Sequence, residues 1–405
     1  MNARDTPLQT FAKVSYNDAL ARAQAMIPAL KERAALAEAQ RRVSSETVEE
    51  LDRSGLMRIL QPKRWGGMQL DFSSILDIAD ILARGCASTS WTFANIAVHH
   101  WMLALYDERA QTEIWGTNPD AWIASGIAYP QGKGTVVDGG ILLSGHWNFS
   151  SGVGLSSWNM LACIVRDAAG KPIDYRMCVI PASDYEVLDD WQVMGLSGTG
   201  SMSVQCDQVF VPEHRALSML AGRAGGTGQY PGLTTNPHAL YRISFGGLAA
   251  HCILGTTIGN AQAMFDAISG MIRERSSSYT TLTMRDLNTV QARVGLAGAH
   301  LDAARLMARN DCLEAQALAE QGLTTPLEHR LKQKRNCAYA MQLATRCVDT
   351  LYALAGANGL YSRGPIERIY RDQHAAAGHI NFSLDAQTSA WGLAMLGGSV
   401  NNPTL

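Results

Sequence analysis

The chain has 405 residues, 47% of them hydrophobic and 17% charged, with a formal net charge of -2 at pH 7. This length and apolar content can bury a large core in two or three structural units, as in an ordinary globular protein. Lysine and arginine are spread along the sequence rather than clustered, which argues against nucleic acid or an anionic membrane as partner and favours a small molecule.

The first part of the chain, residues 17–116, has a helical pattern with apolar residues at three- and four-residue spacing. The pattern predicts helices over residues 19–39, 47–60 and 75–83. Trp65-Gly66-Gly67 breaks it between the last two. We therefore predict an N-terminal helical domain over residues 1–118.

The middle of the chain changes to a period of two, which is typical of strands. Asp138-Gly139-Gly140 stands between two alternating runs and predicts a hairpin. Further strands are predicted over residues 159–166, 175–180 and 203–211. These runs indicate a central β domain over residues 119–220.

Helical patterns return after the glycine-, threonine- and proline-rich residues 222–237, which either cover a pocket or merely connect domains. Helices are predicted over residues 245–275, 287–321, 328–354 and 366–396. Together they form a predicted C-terminal helical bundle over residues 221–405. Small residues at 245–261 would let helices approach closely, either in an oligomer core or within the chain.

Several functions lose support from missing motifs. The start of the chain has no basic segment followed by an apolar one, so we expect a cytoplasmic protein. Residues 243–261 are apolar but contain histidine, threonine and asparagine, which favours a packed interior helix over a membrane span. The eight cysteines form no CxxC pair, which favours free, mostly buried thiols over a zinc site or disulfides.

The same holds for the common catalytic signatures. The ten histidines show no HxxxH or HExxH spacing, and no nucleophile elbow is present, so we expect neither a metal site nor a hydrolase. Glycines 195, 198 and 200 lack the spacing and the strand-to-helix context of a dinucleotide-binding loop, which favours a plain turn between strands.

Five segments of the chain, however, resemble a known family. They are QRRVSSETVEELDRSGLMRILQPKRWGG, GCASTSWTFANIAVHH, DAWIASGIA, HWNFSSG and IYRDQHAAAGH, and they occur in family order at family spacing. They resemble the oxygenase component of 4-hydroxyphenylacetate 3-hydroxylase and, more loosely, dibenzothiophene monooxygenase. The resemblance implies an α+β protein of the acyl-CoA dehydrogenase fold, with an N-terminal helical domain, a central β-barrel domain and a C-terminal helical bundle.

The resemblance also implies an activity and its partners. Reduced FMN or FAD would react with O2 through a C4a-hydroperoxyflavin and hydroxylate a phenolic, indolic or related heteroaromatic substrate. No nicotinamide-binding fingerprint is visible, so a separate NAD(P)H-dependent flavin reductase should supply the reduced flavin by diffusion. A homotetramer is implied, with oligomer contacts and flavin site in the C-terminal bundle. The sequence leaves open both the substrate and the choice between FMN and FAD.

Two alternatives remain open, an acyl-CoA dehydrogenase and a non-catalytic protein that binds reduced flavin. Most dehydrogenases of this fold take a catalytic glutamate from a tyrosine-glutamate-glycine step after an RD pair. When that pattern is laid on Arg371-Asp372, His379 falls at the tyrosine and Ile380 at the glutamate. The missing carboxylate argues against dehydrogenation, although some dehydrogenases supply their base from another helix.

The resemblance assigns a flavin-binding role to several residues. Ser151, the second serine of Phe149-Ser150-Ser151-Gly152, matches a residue that bonds flavin N5. Ser125 and Trp91 match residues beside the flavin ring, and Ala357 and Asn358 match a nearby loop. From the pattern alone, Trp91 equally suits a helix core and Ala357-Asn358 a helix C-terminal turn.

Two histidines complete the predicted site. His379 matches a residue over the flavin where oxygen is activated, and it could give or hold a proton near neutral pH. His99 matches a residue that contacts the substrate hydroxyl and favours its phenolate. His100 and Trp101 replace smaller or polar family residues and could reshape the pocket. Either catalytic candidate could instead be a buried, hydrogen-bonded histidine.

Overall fold

The computed structural model describes residues 10–167, 169–220, 230–276 and 282–400. The order of elements is helical, β, helical, as predicted. The helices are α1 (Tyr16–Gln40), α2 (Ser45–Ser54), α3 (Ser73–Ala83), α4 (Ala87–Leu103), α5 (Glu108–Trp115), α6 (Phe245–Leu248), α7 (His251–Glu274), α8 (Asn288–Glu320), α9 (Leu327–Ala355), α10 (Ile366–Ala377) and α11 (Leu384–Met395). The domain boundaries remain a prediction.

One eight-stranded sheet occupies the middle of the chain. Its strands are β1 (Ile123–Gly126), β2 (Gly132–Val137), β3 (Gly140–Trp147), β4 (Trp158–Arg166), β5 (Pro172–Pro181), β6 (Glu186–Leu188), β7 (Ser203–Pro212) and β8 (Ala216–Ser218). The order is β6-β7-β3-β2-β4-β5-β8, and β1 pairs in parallel with the start of β4. The predicted hairpin is confirmed: β2 and β3 pair antiparallel around Gly139, whose φ of 74° suits glycine.

Helix α4 lies at the centre of the fold. Every residue of α4 except Asn95 is buried, and α4 packs against α3, α7 and β1. Two side chains fasten its C-terminal half: Trp101 Nε1 donates to the Leu240 carbonyl at 2.9 Å, and His100 Nδ1 accepts from Trp115 Nε1 at 3.0 Å. His100 and Trp101 therefore face packed core.

The small residues of α7 pack within the chain. A Cβ added at Gly255 would lie 2.3 Å from the Leu76 carbonyl oxygen of α3, and one at Gly259 would lie 2.0 Å from that of Asp80. The two helix backbones approach as closely as glycine permits. For these two residues, packing within the chain is confirmed.

Three predicted helices end or break differently. The helix predicted over residues 47–60 stops at Ser54, because Gly55 adopts φ 72° against the Phe11 ring and a 3-10 turn follows. Residues 249 and 250 separate α6 from α7. The helix predicted over residues 366–396 is interrupted between α10 and α11 by the turn that holds His379.

Residues 222–229 of the predicted loop lie outside the described residues. The rest includes a 3-10 turn, Pro231–Thr234, which packs on the chain just beyond α4. There the Gly232 N–H donates to the Leu105 carbonyl at 3.0 Å, and a Cβ at Gly232 would lie 2.1 Å from the Ala104 oxygen. Residues 231–234 are therefore held against the chain just after α4.

All eight cysteines are free, and seven are buried, which confirms the prediction of mostly buried thiols. Among the described residues, no three His, Cys, Asp or Glu side chains are grouped to hold a metal ion. None of the helices in the described ranges is long and apolar enough to cross a membrane. The cytoplasmic location remains a prediction.

The close contact between α3 and α7 gives a testable prediction. Gly259→Ala should lower the free energy of unfolding by about 1–3 kcal/mol, because the new methyl group would overlap the Asp80 carbonyl. Gly270→Ala on the same helix is the matched control, since nothing lies within 4 Å of its added Cβ. The control should be stabilised by up to ~1 kcal/mol. Equal effects in urea unfolding would contradict tight packing at Gly259.

Candidate active site

Trp91, Ser151 and His379 meet although they come from three distant parts of the chain. The Trp91 indole Nε1 donates to Ser151 Oγ at 3.3 Å, and the same indole meets the His379 ring edge-on with centroids 6.0 Å apart. Trp91 and Ser151 are buried, and His379 is partly accessible. The structure thus brings together three residues that the sequence placed at one site.

The turn that holds Ser151 is fixed by its backbone. Phe149 has φ 64° and Gly152 has φ 71°, which reverse the chain after β3. The Ser150 N–H donates to the Met202 carbonyl at 3.1 Å, and the Gly152 N–H donates to the Thr199 carbonyl at 2.9 Å. The Ser151 turn is therefore bound to the segment before β7.

That segment is in turn anchored on α10. The Leu196 N–H donates to Asp372 Oδ1 at 2.6 Å, and Arg371 donates to the Met194 carbonyl at 2.7 Å. A Cβ at Gly195 would lie 2.4 Å from the Arg371 carbonyl oxygen, so only glycine fits this approach. Burial raises the pKa of Asp372 to about 6, while its bond to Leu196 opposes that rise. Arg371 and Asp372 therefore hold the segment that in turn binds the Ser151 turn.

Hydroxyl groups continue the hydrogen bonds from Ser151 into the protein. Ser151 Oγ and Ser201 Oγ are 2.8 Å apart, and Ser201 Oγ and Thr199 Oγ1 are 2.7 Å apart. Thr199 Oγ1 donates to the Leu196 carbonyl at 2.8 Å. Ser151, Ser201 and Thr199 are all buried. We call Ser151, Ser201 and Thr199 the hydroxyl chain.

His99 lies two turns beyond Trp91 on α4 and is buried. Its Nδ1 is 2.6 Å from the Ile123 carbonyl oxygen. A carbonyl can only accept, so Nδ1 carries the hydrogen and Nε2 of the neutral ring has a free lone pair. Burial lowers the pKa of His99 to about 4, although the Ile123 bond opposes this. At neutral pH, His99 is an uncharged acceptor at Nε2.

His379 has the opposite tautomer. Its Nδ1 accepts from the Asn381 backbone N–H at 3.3 Å, so the hydrogen of the neutral ring is on Nε2. The surrounding atoms lower the pKa of His379 to about 4 by desolvation. The expected protonation change near neutral pH is therefore replaced by a fixed N–H donor. Its ordinary pKa of ~6.5 does not apply here.

The remaining predicted residues vary in position. Ser125 on β1 is half-buried, two residues from the carbonyl that holds His99. Ser150 is fully buried and accepts from Asn159 Nδ2 at 3.1 Å, which makes it a support of the turn. Ala357 and Asn358 are exposed in a 3-10 turn after α9 and make no hydrogen bond or ring contact with Trp91, Ser151 or His379.

Phe149 stands out at the rim of the site. Its side chain is 71% exposed, which is unusual for a large apolar group, and its ring meets Trp191 edge-on at 6.1 Å. Trp191 Nε1 donates to the Leu196 and Ser197 carbonyls, at 3.4 and 3.1 Å. Phe149 therefore offers open apolar surface next to the buried Ser151.

Sequence reasoning missed Ser201, Thr199 and Trp191. The segment 195–201 was correctly interpreted as a turn between strands rather than a dinucleotide-binding loop. Its run of serine and threonine between glycines is a signal for side-chain hydrogen bonding, but the partner turn is 50 residues away.

The site suits a planar ring with polar edges. The Trp91 indole contacts both the Ser151 hydroxyl and the His379 ring, the exposed Phe149 ring lies two residues from Ser151, and none of these four side chains is charged at neutral pH. Aromatic rings favour edge-to-face contacts of this kind. Such contacts would suit the flat ring of the flavin that the resemblance implies, and His99 lies about 12 Å further along α4.

The chain is similar to known proteins over most of its length. Residues 21–117 match the model of the acyl-CoA dehydrogenase N-terminal domain, and residues 251–384 match that of the acyl-CoA dehydrogenase C-terminal domain. The oxygenase subunit HsaA of a Mycobacterium tuberculosis flavin-dependent monooxygenase is 35% identical over 87% of this chain and 89% of its own. The crystal structure of that enzyme superposes with a TM-score of 0.91, at 33% identity, over 96% of this chain and 100% of its own.

Two further relatives have names that state a substrate. The oxygenase component of a FADH2-dependent resorcinol hydroxylase from Rhizobium is 32% identical over 89% of both chains. The oxygenase component of p-hydroxyphenylacetate 3-hydroxylase from Acinetobacter baumannii is 30% identical over 95% of this chain and 90% of its own. The resemblance found in the sequence is confirmed, as is the fold class.

The two histidine tautomers can be tested directly. Both imidazoles should stay neutral at pH 7 and gain a proton only as the pH falls toward about 4, because burial depresses both pKa values. Nitrogen-15 NMR of labelled histidine should show hydrogen on Nδ1 of His99 and on Nε2 of His379. His99→Gln and His379→Gln serve to assign the signals. A midpoint near 6.5 for either ring would contradict the burial argument.

Proposed function

Since the chain belongs to the family of two-component flavin-dependent monooxygenase oxygenase components, built on the acyl-CoA dehydrogenase fold, we propose that it hydroxylates a phenolic ring. The acceptor lone pair on His99 Nε2 suits a phenol hydroxyl and an indole N–H alike, so the choice of a phenol rests on the relatives named for phenolic substrates. A phenol hydroxyl can donate to this atom and thereby shift toward phenolate, whose ring carbons are the more nucleophilic. The relatives named for resorcinol and p-hydroxyphenylacetate support this choice.

The proposed flavin site has a division of roles. Ser151 would meet flavin N5, Trp91 and Ser125 would lie beside the ring, and His379 would present its Nε2–H above it. Phe149 would cover part of the ring, while Ser150 holds the turn through Asn159. Bound reduced flavin supplies the electrons that activate O2, and the protein's tasks are to orient the rings and exclude water.

The reduced flavin has to come from elsewhere. The glycine-containing segment 195–201 lies between β6 and β7 and contains only the 3-10 turn Ser197–Thr199, so it does not start the α-helix that a nicotinamide-binding turn requires. A separate NAD(P)H-dependent flavin reductase would therefore deliver reduced FMN or FAD. The name of the resorcinol hydroxylase points to FADH2 for that relative.

The dehydrogenase alternative loses further support. Ile380, at the position of the usual catalytic glutamate, is 72% exposed in the turn after His379. A base for removing an α-proton must reach the substrate with a titratable group. Ile380 has none, and the neighbouring His379 ring has its lone pair turned to Asn381.

A tetramer is also proposed, from the surface of α8. Apolar residues recur along α8 at alternating spacings of three and four with one break, and all are exposed: Ala292, Leu296, Ala299, Ala303, Leu306, Leu313 and Ala317. Leu306 alone is 71% exposed. Such a seam is typical of helices that pair with another helix. We infer that α8 contacts the same helix of a second copy.

A second set of exposed apolar residues supports the step from dimer to tetramer. Leu360, Ile380 and Leu396, all near the C-terminal end, are 73, 72 and 88% exposed. A closed tetramer of dihedral symmetry needs more than one kind of contact. Leu360 belongs to the same turn as Ala357 and Asn358, which would place those two residues beside a neighbouring subunit.

The role of His99 gives a sharp test. With a generic flavin reductase, NADH and a panel of resorcinol, 4-hydroxyphenylacetate and indole, His99→Ala should consume O2 near the parent rate. Product formation should fall by ~100-fold, the scale of a lost general base, with hydrogen peroxide in its place. Product is measured by chromatography and peroxide by a coupled assay.

His374→Ala is the control, because His374 is a partly exposed histidine bound to Asp349 on the surface. Both variants are first compared with the parent in thermal unfolding, since His99 is buried. If folded His99→Ala hydroxylates at the parent rate, the phenolate role is wrong.

The exposed apolar residues of α8 predict that one charged substitution among them will break the assembly. Leu306→Asp should dissociate the assembly to a smaller species in sedimentation velocity, because a carboxylate would be buried in an apolar contact. Leu36→Asp on α1, where leucine is 46% exposed, is the matched control and should leave the assembly intact. An unchanged sedimentation coefficient for Leu306→Asp would place the contact elsewhere.

A further inference from the structure

The hydroxyl chain has only one arrangement of hydrogens that satisfies all its bonds. Leu196 offers a carbonyl, which can only accept, so the Thr199 hydroxyl hydrogen is committed to it. Ser201 must then donate to Thr199, and Ser151 must donate to Ser201. At the other end, the Trp91 indole can only donate, so Ser151 accepts from it.

This arrangement of hydrogens leaves one lone pair of Ser151 Oγ without a partner in the hydroxyl chain. Its one hydrogen is directed inward at Ser201, and one of its two lone pairs is taken by Trp91. The second lone pair is left for whatever lies against Ser151. Ser151 can therefore accept a hydrogen bond from a ligand. It cannot donate one, so an acceptor atom of a ligand placed there would face a lone pair.

We propose that Thr199 and Ser201 are positioning residues that make the site select the reduced over the oxidised flavin, by fixing the hydrogen of Ser151. This inference rests on the proposed function, which puts flavin N5 against Ser151. In reduced flavin, N5 carries a hydrogen and is a donor. In oxidised flavin, N5 has no hydrogen and is an acceptor.

The preference for reduced flavin follows because N5 of oxidised flavin cannot donate to the Ser151 lone pair. Reduced flavin donates from N5 to the open lone pair of Ser151, whereas oxidised flavin sets two acceptors against each other. A buried acceptor without a donor is unfavourable by about the free energy of the hydrogen bond it lacks. The enzyme would thereby accept the form that its reductase delivers and release the spent form.

Two substitutions should free the hydrogen of Ser151 by different routes. In Ser201→Ala, Ser151 loses its acceptor and can turn its hydrogen to N5. In Thr199→Val, Ser201 loses its acceptor, donates to Ser151 instead, and so releases the Ser151 hydrogen. Both variants should bind oxidised flavin more tightly and reduced flavin less tightly, because the freed hydroxyl hydrogen needs an acceptor, which N5 of oxidised flavin provides and the N5–H of reduced flavin does not. Thr199→Ser keeps the hydroxyl and should behave like the parent.

The measurement is equilibrium binding under anaerobic conditions, with oxidised and dithionite-reduced FMN and FAD followed by absorbance and fluorescence. The ratio of the two dissociation constants, oxidised over reduced, should fall by roughly ten-fold in Ser201→Ala and Thr199→Val. Thr257→Val is the matched control, because Thr257 is a buried threonine of α7 whose hydroxyl also donates to the carbonyl three residues earlier. Its ratio should equal the parent's.

Each other result has a distinct meaning. If the ratio is unchanged in either folded variant, or both flavin forms weaken in parallel, the hydroxyl chain is only structural and the inference is wrong, while the proposed function stands. If the parent binds neither form, the proposed function itself fails. Thermal unfolding checks each variant, and Thr199→Val carries the test should Ser201→Ala not fold.

Discussion

The burial of α4 on all sides is the constraint from which the site follows. A helix enclosed by α3, α7 and β1 cannot shift without opening the core, so its side chains have fixed positions. Two segments approach α4 closely: a Cβ at Gly152 of the Ser151 turn would lie 3.0 Å from Thr92, and one at Gly198 of the segment 195–201 would lie 3.0 Å from Ser88. Trp91 and His99 are therefore held rigidly from one element, while Ser151 and His379 are brought to it by others.

Much of the fold could be predicted because its elements have strong local signals. The β2–β3 hairpin was found from Asp138-Gly139, and α8 and α9 from periodicity, to within about one residue at either end. The failures occurred where a single residue overrides the periodic pattern. At Gly55 the apolar spacing continues past the end of the helix, but the backbone adopts a left-handed conformation against the Phe11 ring. Phe11 is 44 residues away in sequence, so a local pattern cannot predict this contact.

The site was predictable only in part, and the division has a physical reason. Trp91, Ser151 and His379 came from family motifs, and their meeting is seen in the structure. Ser201 and Thr199 could not be found in this way, because their importance depends on hydrogen-bond direction across two loops. The lowered pKa of His379 could not be read from the sequence either, because it comes from desolvation by residues of other elements. Composition and spacing identify residue types but not tautomers.

These features together suggest that the site works through hydrogen-bond direction rather than charge. Each polar group takes its orientation from a backbone atom that cannot reverse its role: the Ile123 carbonyl for His99, the Asn381 N–H for His379 and the Leu196 carbonyl for Thr199. Charged groups buried here without partners would be unfavourable by several kcal/mol each. Neutral groups of fixed polarity avoid that cost and still present a defined donor or acceptor to a ligand. The buried carboxylate of Asp372 accepts from the Leu196 N–H and so supports the segment that carries Thr199 and Ser201.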